Sequence, residues 1–200
     1  PRARQRRTPS RSVTRTHLKP ATASRANPSE EESTLRIISA SNFGPPEVLR
    51  VEERPLPHPK TDEVIVEVKA AGINLMDTYL RRGMTPPTSV PTVFGVDGAG
   101  VVVAVGAQSR ATIGDRVAWV WAPGSYAEML AVPDERLVPI PQSVSFEAAA
   151  GGLMQGLTAH HLCYDAVPVP QGAVVLVHSA ASGVGRMLTQ LVTGRGARVI

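Results

Sequence analysis

The spacing of apolar positions changes along the chain near residue 145. Before that point, short apolar runs, alternating or continuous, are broken by Gly and Pro, whereas after it apolar residues recur at helical spacing. LRIISA from Leu35 and VLRVEERPLP from Val48 predict a hairpin across Asn42-Phe43-Gly44-Pro45-Pro46, a cluster of turn formers. Val64, Val66 and Val68 alternate with Ile65, Glu67 and Lys69, which predicts a half-buried strand. GAGVVVAV at 98–105 predicts another strand, and Gly114-Asp115 and Gly124-Ser125 are turns that lead into two more. Many short strands with Gly and Pro between them imply a compact β-barrel-like domain over residues 35–145. From Ser145, a helix N-cap, SFEAAAGGLMQGLTAHHLC is rich in Ala and Leu and predicts a helix that crosses to a second unit.

Residues 172–200 carry the pattern of that unit. Ala173 to Val177 is a continuous apolar run rich in β-branched residues, expected as a parallel strand buried on both faces. Ala180-Ala181-Ser182-Gly183-Val184-Gly185 then places small side chains where a backbone must turn sharply and approach a pyrophosphate. Val184, Met187, Leu188, Leu191 and Val192 form one apolar helical face, Gly194 and Gly196 end the helix, and Ala197 to Ile200 opens the next strand. The glycine fingerprint G-x-G-x-x-G is read here as Ala180-x-Ser182-x-x-Gly185. Ser182 therefore costs clearance through its Cβ while offering a hydroxyl to a phosphate. The bland alternative is a strand, turn and helix whose small residues serve packing.

Charge alters this picture at one end only. Residues 1–29 hold seven Arg and one Lys with no acid, a balance of +8. The rest holds 13 bases and 17 acids, or −4, so the globular part shows no nucleic-acid surface. Residues 1–33 are poor in apolar side chains and are expected to be a disordered basic extension. Their composition resembles an organellar transit peptide, although Pro1, Pro9, Pro20 and Pro28 oppose a long amphipathic helix, and a non-native extension is the other reading. No apolar run reaches 18 residues, so no membrane span is expected. The single cysteine, Cys163, excludes an internal disulfide and a Cys-rich zinc site, and its apolar neighbours predict a buried structural thiol.

Six motifs, AAGINLMDTYLRRG, GVDGAGVVVAVG, GDRVA, GSYAE, SFEAAAGGLMQGLTA and VLVHSAASGVG, occur in this order. Together they resemble the medium-chain dehydrogenase/reductases, and within them the zeta-crystallin-type quinone oxidoreductases, from about Leu35 to Ile200. The fold this implies is α/β plus β: a GroES-like β-barrel-type catalytic domain at 34–150, then a truncated Rossmann NAD(P)-binding domain at 151–200. Such a cofactor domain takes roughly 120 to 150 residues, so its remainder is expected beyond residue 200 and the fragment is expected to be inactive alone.

The resemblance also assigns residues. Zinc-dependent members have a Cys where this chain has Asn74, and a His and a Glu where it has Val96 and Asp97; the implication is that no metal is bound. An isolated carbonyl needs a Lewis acid or positioned acid, whereas a quinone or enone spreads the developing charge by conjugation. Asn74 and Tyr79 match the pair beside the nicotinamide, with turn-forming and core packing as their bland readings. Asp77 is a cofactor contact or simply a helix cap. Thr158 matches a nicotinamide contact, and Ser182, Gly183, Val184 and Gly185 match the phosphate turn. Thr85 replaces a tyrosine that lines the cleft in some bacterial relatives. His160, His161 and His178 are assigned no chemistry. The implied function is NADPH-dependent hydride transfer to a small-molecule quinone or enone by a homodimer of the full-length protein. The implied location is the cytoplasm, or a mitochondrion or plastid if residues 1–33 are a transit peptide. The alternatives are an enoyl reductase acting on 2-enoyl thioesters and a non-catalytic cofactor-binding relative.

Overall fold

A computed structural model describes residues 33–85 and 92–200. The expected basic extension falls on residues 1–32, outside the described residues, save for Ser33. Strands β1 (Thr34–Ala40) and β2 (Arg50–Pro55) form the expected antiparallel hairpin, with Ile37 opposite Glu52. β1 pairs on its other edge with the short β4 (Thr92–Val93). A five-stranded antiparallel sheet is built from β3 (Glu63–Ala71), β5 (Gly98–Val105), β6 (Arg116–Trp119), β7 (Met129–Pro133) and β8 (Leu137–Pro139). Its order is β7-β3-β5-β6-β8. The two sheets join where Ile38 N–H donates to Tyr126 O at 2.8 Å and Glu128 N–H donates to Arg36 O at 3.1 Å. The result is a curled, barrel-like wall.

Its core is Val64, Val66, Val102, Val117, Leu130 and Val132 around Trp119, all buried. Trp119 keeps its one polar atom satisfied, because Nε1–H donates to the buried Ser125 Oγ at 2.9 Å. Strict alternation fails in β3: Ile65 is buried along with Val64 and Val66. Register shifts between Ile65 and Val66, and again between Val68 and Ala70, account for this, since a bulge breaks the period of two.

Helix α1 (Leu75–Arg81) follows β3, and helix α2 (Phe146–His160) follows β8. Ser145 caps α2 as expected, its Oγ accepting from Ala148 N–H at 3.1 Å. α2 lies on the sheet through Phe146, Ala149, Ala150 and Leu153 against Ala99, Ala118 and Ile140. On its other side Gly152 and Gly156 face Met187. The expected domain boundary at 150/151 thus falls inside a helix that packs against both parts. α2 ends in a π-helical turn at His161–Ala166, which buries Cys163 completely and leaves His160 and His161 exposed beside Asp165.

The last unit is β9 (Val174–Val175), α3 (Gly183–Gly194) and β10 (Arg198–Val199), with β9 and β10 parallel. This is a βαβ unit. α3 ends in a Schellman motif: Gly196 takes φ +75°, its N–H donates to Thr193 O, and Ala197 N–H donates to Val192 O. Among the described residues β9 is covered on one face, with Val174 and Leu176 exposed on the other. Val175, Leu188, Leu191, Val192 and Val199 cover one face with Cys163, while the other carries no layer among the described residues.

Candidate active site

α1 begins at Asn74 because the residues there satisfy each other. Asn74 takes extended backbone angles, φ −122° and ψ 151°, and its N–H donates to Asp77 Oδ2 at 2.8 Å. That is the returning half of a capping box. Asp77 Oδ2 also accepts from the Tyr126 hydroxyl at 2.9 Å. Burial, the Asp77 bond and the charges of Asp77 and Asp97 all push the Tyr126 phenol well above its ordinary range, so it stays protonated and donates.

The Asn74 amide is held at both ends. Its Nδ2 donates to Asp97 Oδ1 at 2.7 Å, and its Oδ1 accepts from Gln155 Nε2 at 3.0 Å. A carboxylate on one side and a donor on the other fix which amide end faces which way. One N–H and one acceptor lone pair remain on Asn74 for a ligand. Asp97 sits at the start of β5, almost wholly buried, with Oδ2 unpartnered among the described residues. Burial raises its pKa, the Asn74 bond opposes that rise, and the Asp77 charge adds to it. Gln155 comes from the middle of α2, so three elements far apart in sequence meet at one amide.

Asn74 also lines a cleft of about 300 Å³ with Met76, Trp121, Met154, Gln155, Leu157, Thr158 and Val184. Of the residues expected from the sequence, Asn74, Thr158 and Val184 meet here. Thr158 donates its hydroxyl to Met154 O at 2.9 Å within its own helix, which leaves its oxygen as an acceptor. Asp77 does not line this cleft; it is buried, caps α1 and borders the larger apolar cavity toward β1. Tyr79, on the exposed side of α1, is 38% accessible and also stands outside the cleft lining. Thr85 is exposed. Asp97, Gln155, Tyr126 and Trp121 were not assigned from the sequence as site residues. Asp97, Tyr126 and Gln155 lie inside the motifs GVDGAGVVVAVG, GSYAE and SFEAAAGGLMQGLTA, whereas Trp121 lies outside all six.

At the head of α3, Ser182 caps the helix, its Oγ accepting from Gly185 N–H at 3.1 Å. Its hydroxyl proton remains free to donate. The N–H groups of Gly183 and Val184 find no acceptor among the described residues. A Cβ on Gly183 would come within 3.0 Å of Gln155 Cγ, so the missing side chain keeps the space between α2 and α3 open. Gly185 has another role: its Cβ would lie 2.2 Å from Ser179 O, and Ser179 itself takes φ +54° to make the turn. Unpaired N–H groups, a free hydroxyl and no intervening Cβ fit a pyrophosphate. Among the described residues, no group of three or more His, Cys, Asp or Glu is placed to hold a metal, and no helix is long and apolar enough to cross a membrane.

The fold is of the medium-chain dehydrogenase/reductase type, a GroES-like domain joined to a βαβ unit. Residues 60–142 match the alcohol dehydrogenase GroES-like domain. The chain is a homologue of the quinone oxidoreductases. It is 38% identical over 167 residues to a probable quinone oxidoreductase of Schizosaccharomyces pombe, covering 82% of this chain and 50% of that protein. The Escherichia coli quinone oxidoreductase, solved in complex with NADPH, superposes with a TM-score of 0.80 at 35% identity, covering 82% of this chain and 51% of that one. The CurF ER cyclopropanase of the curacin A biosynthetic pathway is also similar, with a TM-score of 0.78 at 26% identity over 83% of this chain and 53% of that one. The chain spans about half the length of the relatives it matches.

Proposed function

We propose that the protein carrying this chain is an oxidoreductase that uses NADPH to reduce a quinone without a metal, and works as a homodimer at full length. The observation that supports this most is the Asn74 amide, fixed by Asp97 and Gln155 and opening on a cleft that reaches Val184 at the head of α3. Gly183, Val184 and Ser182 would hold the cofactor's phosphates, and Asn74 and Thr158 its nicotinamide end. When bound, NADPH supplies the hydride. The chain's own residues then bind, orient and exclude water. Met76, Met154, Leu157 and Val184 make the cleft wall apolar, and the spare N–H of Asn74 offers a hydrogen bond where charge develops. The Tyr79 phenol stands outside this lining and makes no hydrogen bond within the described residues; the family resemblance alone makes it the second candidate donor. Asn74 and Val96 stand where zinc-dependent members have ligands, and an amide with an aliphatic chain suits hydride transfer to a conjugated acceptor rather than metal chemistry.

Similarity to the CurF ER cyclopropanase favours one second reading, an enoyl reductase acting on 2-enoyl thioesters. Full-length protein assayed with NADPH separates the two. Oxidation by 1,4-benzoquinone or 9,10-phenanthrenequinone supports the quinone reading, and oxidation by crotonyl thioesters alone replaces it. Tight NADPH binding, seen by nicotinamide fluorescence, with no oxidation by any acceptor marks a non-catalytic relative. Exhaustive chelation is expected to leave the quinone rate unchanged; a loss restored by zinc contradicts the metal-free reading.

A further inference from the structure

Two tryptophans two residues apart are put to opposite uses. In a continuing strand, Trp119 and Trp121 would point to the same face and compete for one core. β6 ends at Trp119, which is wholly buried with its Nε1–H on Ser125. Two residues on, Trp121 takes φ +60°, a left-handed conformation that bulky residues rarely adopt. The next residue is pinned, with Ala122 buried and its N–H donating to Val96 O at 2.9 Å. Fixed points on both sides hold Trp121 in this strained geometry. The indole is thereby diverted out of the barrel, 56% exposed, into the lining of the Asn74 cleft. Strain that delivers a large aromatic face to a cleft, where the core has no use for it, calls for a ligand on that face.

We propose that Trp121 is the specificity-determining wall of the cleft, its indole stacking on planar acceptors and favouring fused-ring quinones over single-ring ones. The inference rests on the reading of this cleft as the acceptor site and names the acceptor class. The surroundings suit it. Met76 and Met154 are polarizable and Leu157 is apolar, so a flat ring laid on the indole meets soft apolar contacts, with Asn74 and Thr158 supplying polar atoms.

The test uses full-length protein carrying Trp121→Phe, Trp121→Ala or Trp121→Gly. Trp121→Ala is expected to lower kcat/KM for 9,10-phenanthrenequinone by roughly three- to tenfold, and for 1,4-benzoquinone by less than about twofold. Trp121→Phe, which keeps an aromatic face, should retain the preference. Trp121→Gly removes the ring and relieves the left-handed strain together. It should melt at or above the wild-type temperature and still lose the preference, which a merely structural tryptophan would not do. Without NADPH, phenanthrenequinone should quench wild-type indole fluorescence saturably, and Trp121→Phe should abolish that component. An unchanged ratio of the two kcat/KM values in both Trp121→Ala and Trp121→Gly overturns the proposal while the quinone reading stands. Wild-type protein that neither reduces nor is quenched by either quinone overturns both.

Discussion

Asn74 shows how one side chain serves two neighbours and keeps capacity for a third. Its position was legible, because INLMDTY places an Asn at a helix start. What holds it was not, since Asp97 lies 23 residues away and Gln155 lies 81 away. No local pattern announces such partners. Asp77 was ambiguous for a different reason: a carboxylate at a helix start caps or binds, and here Oδ2 is taken by Asn74 N–H and by Tyr126, 49 residues on, while Oδ1 has no partner among the described residues. Two predictions belong to single residues. The folded-state pKa of Asp97 is raised, chiefly by burial, so its contribution to stability is complete at and below the ordinary carboxylate range and is lost as pH climbs through the raised value. Asp97→Asn removes that titration and keeps an oxygen for Asn74. The melting temperature of wild type relative to Asp97→Asn should therefore fall as pH rises above the ordinary carboxylate range; a gap independent of pH would show that Asp97 does not titrate with a raised pKa. Tyr79→Phe, which removes only the phenol, should lower kcat/KM by roughly 5- to 150-fold, the effect of one donor worth about 1 to 3 kcal/mol. Full efficiency in that variant would leave Tyr79 as a surface residue.

Elements were legible wherever sequence-local chemistry decides them. The hairpin across 42–46, the Ser145 cap of α2 and the glycine end of α3 all follow from residues within a few positions of the structure they make. The errors came where a neighbour decides. Ile65 is buried because bulges break the alternation of β3, where its register shifts against β5. The turn before α3 yields a paired prediction from two glycines. Gly185→Ala drives a Cβ into Ser179 O, a backbone atom that cannot yield, and should destabilise the protein by about 1 to 3 kcal/mol, read as a lower melting temperature. Gly183→Ala brings its Cβ to 3.0 Å from Gln155 Cγ, a side chain that can shift by a few tenths of an ångström where backbone cannot. It should leave melting nearly unchanged and weaken NADPH binding, measured by nicotinamide fluorescence; equal affinity would remove this turn from the cofactor site.

At the scale of the molecule, α2 couples the two parts. One side of it lies on the barrel wall, the other on α3, and Gln155 reaches from it to Asn74. The cleft is therefore a property of neither part alone, and a reading of motifs one at a time could name its residues without seeing Trp121 or Gln155 between them. The architecture was legible as a sequence of patterns: period two with Gly and Pro, then period 3.6, then a small-residue turn. NADPH oxidation by 9,10-phenanthrenequinone in chelator-treated full-length protein, comparing wild type with Asn74→Ala, tests whether the Asn74 amide orients hydride transfer to a quinone without a metal. Wild-type turnover should be undiminished by chelation, and kcat/KM should fall by roughly tenfold or more in the variant. Equal kcat/KM in the two proteins would contradict it.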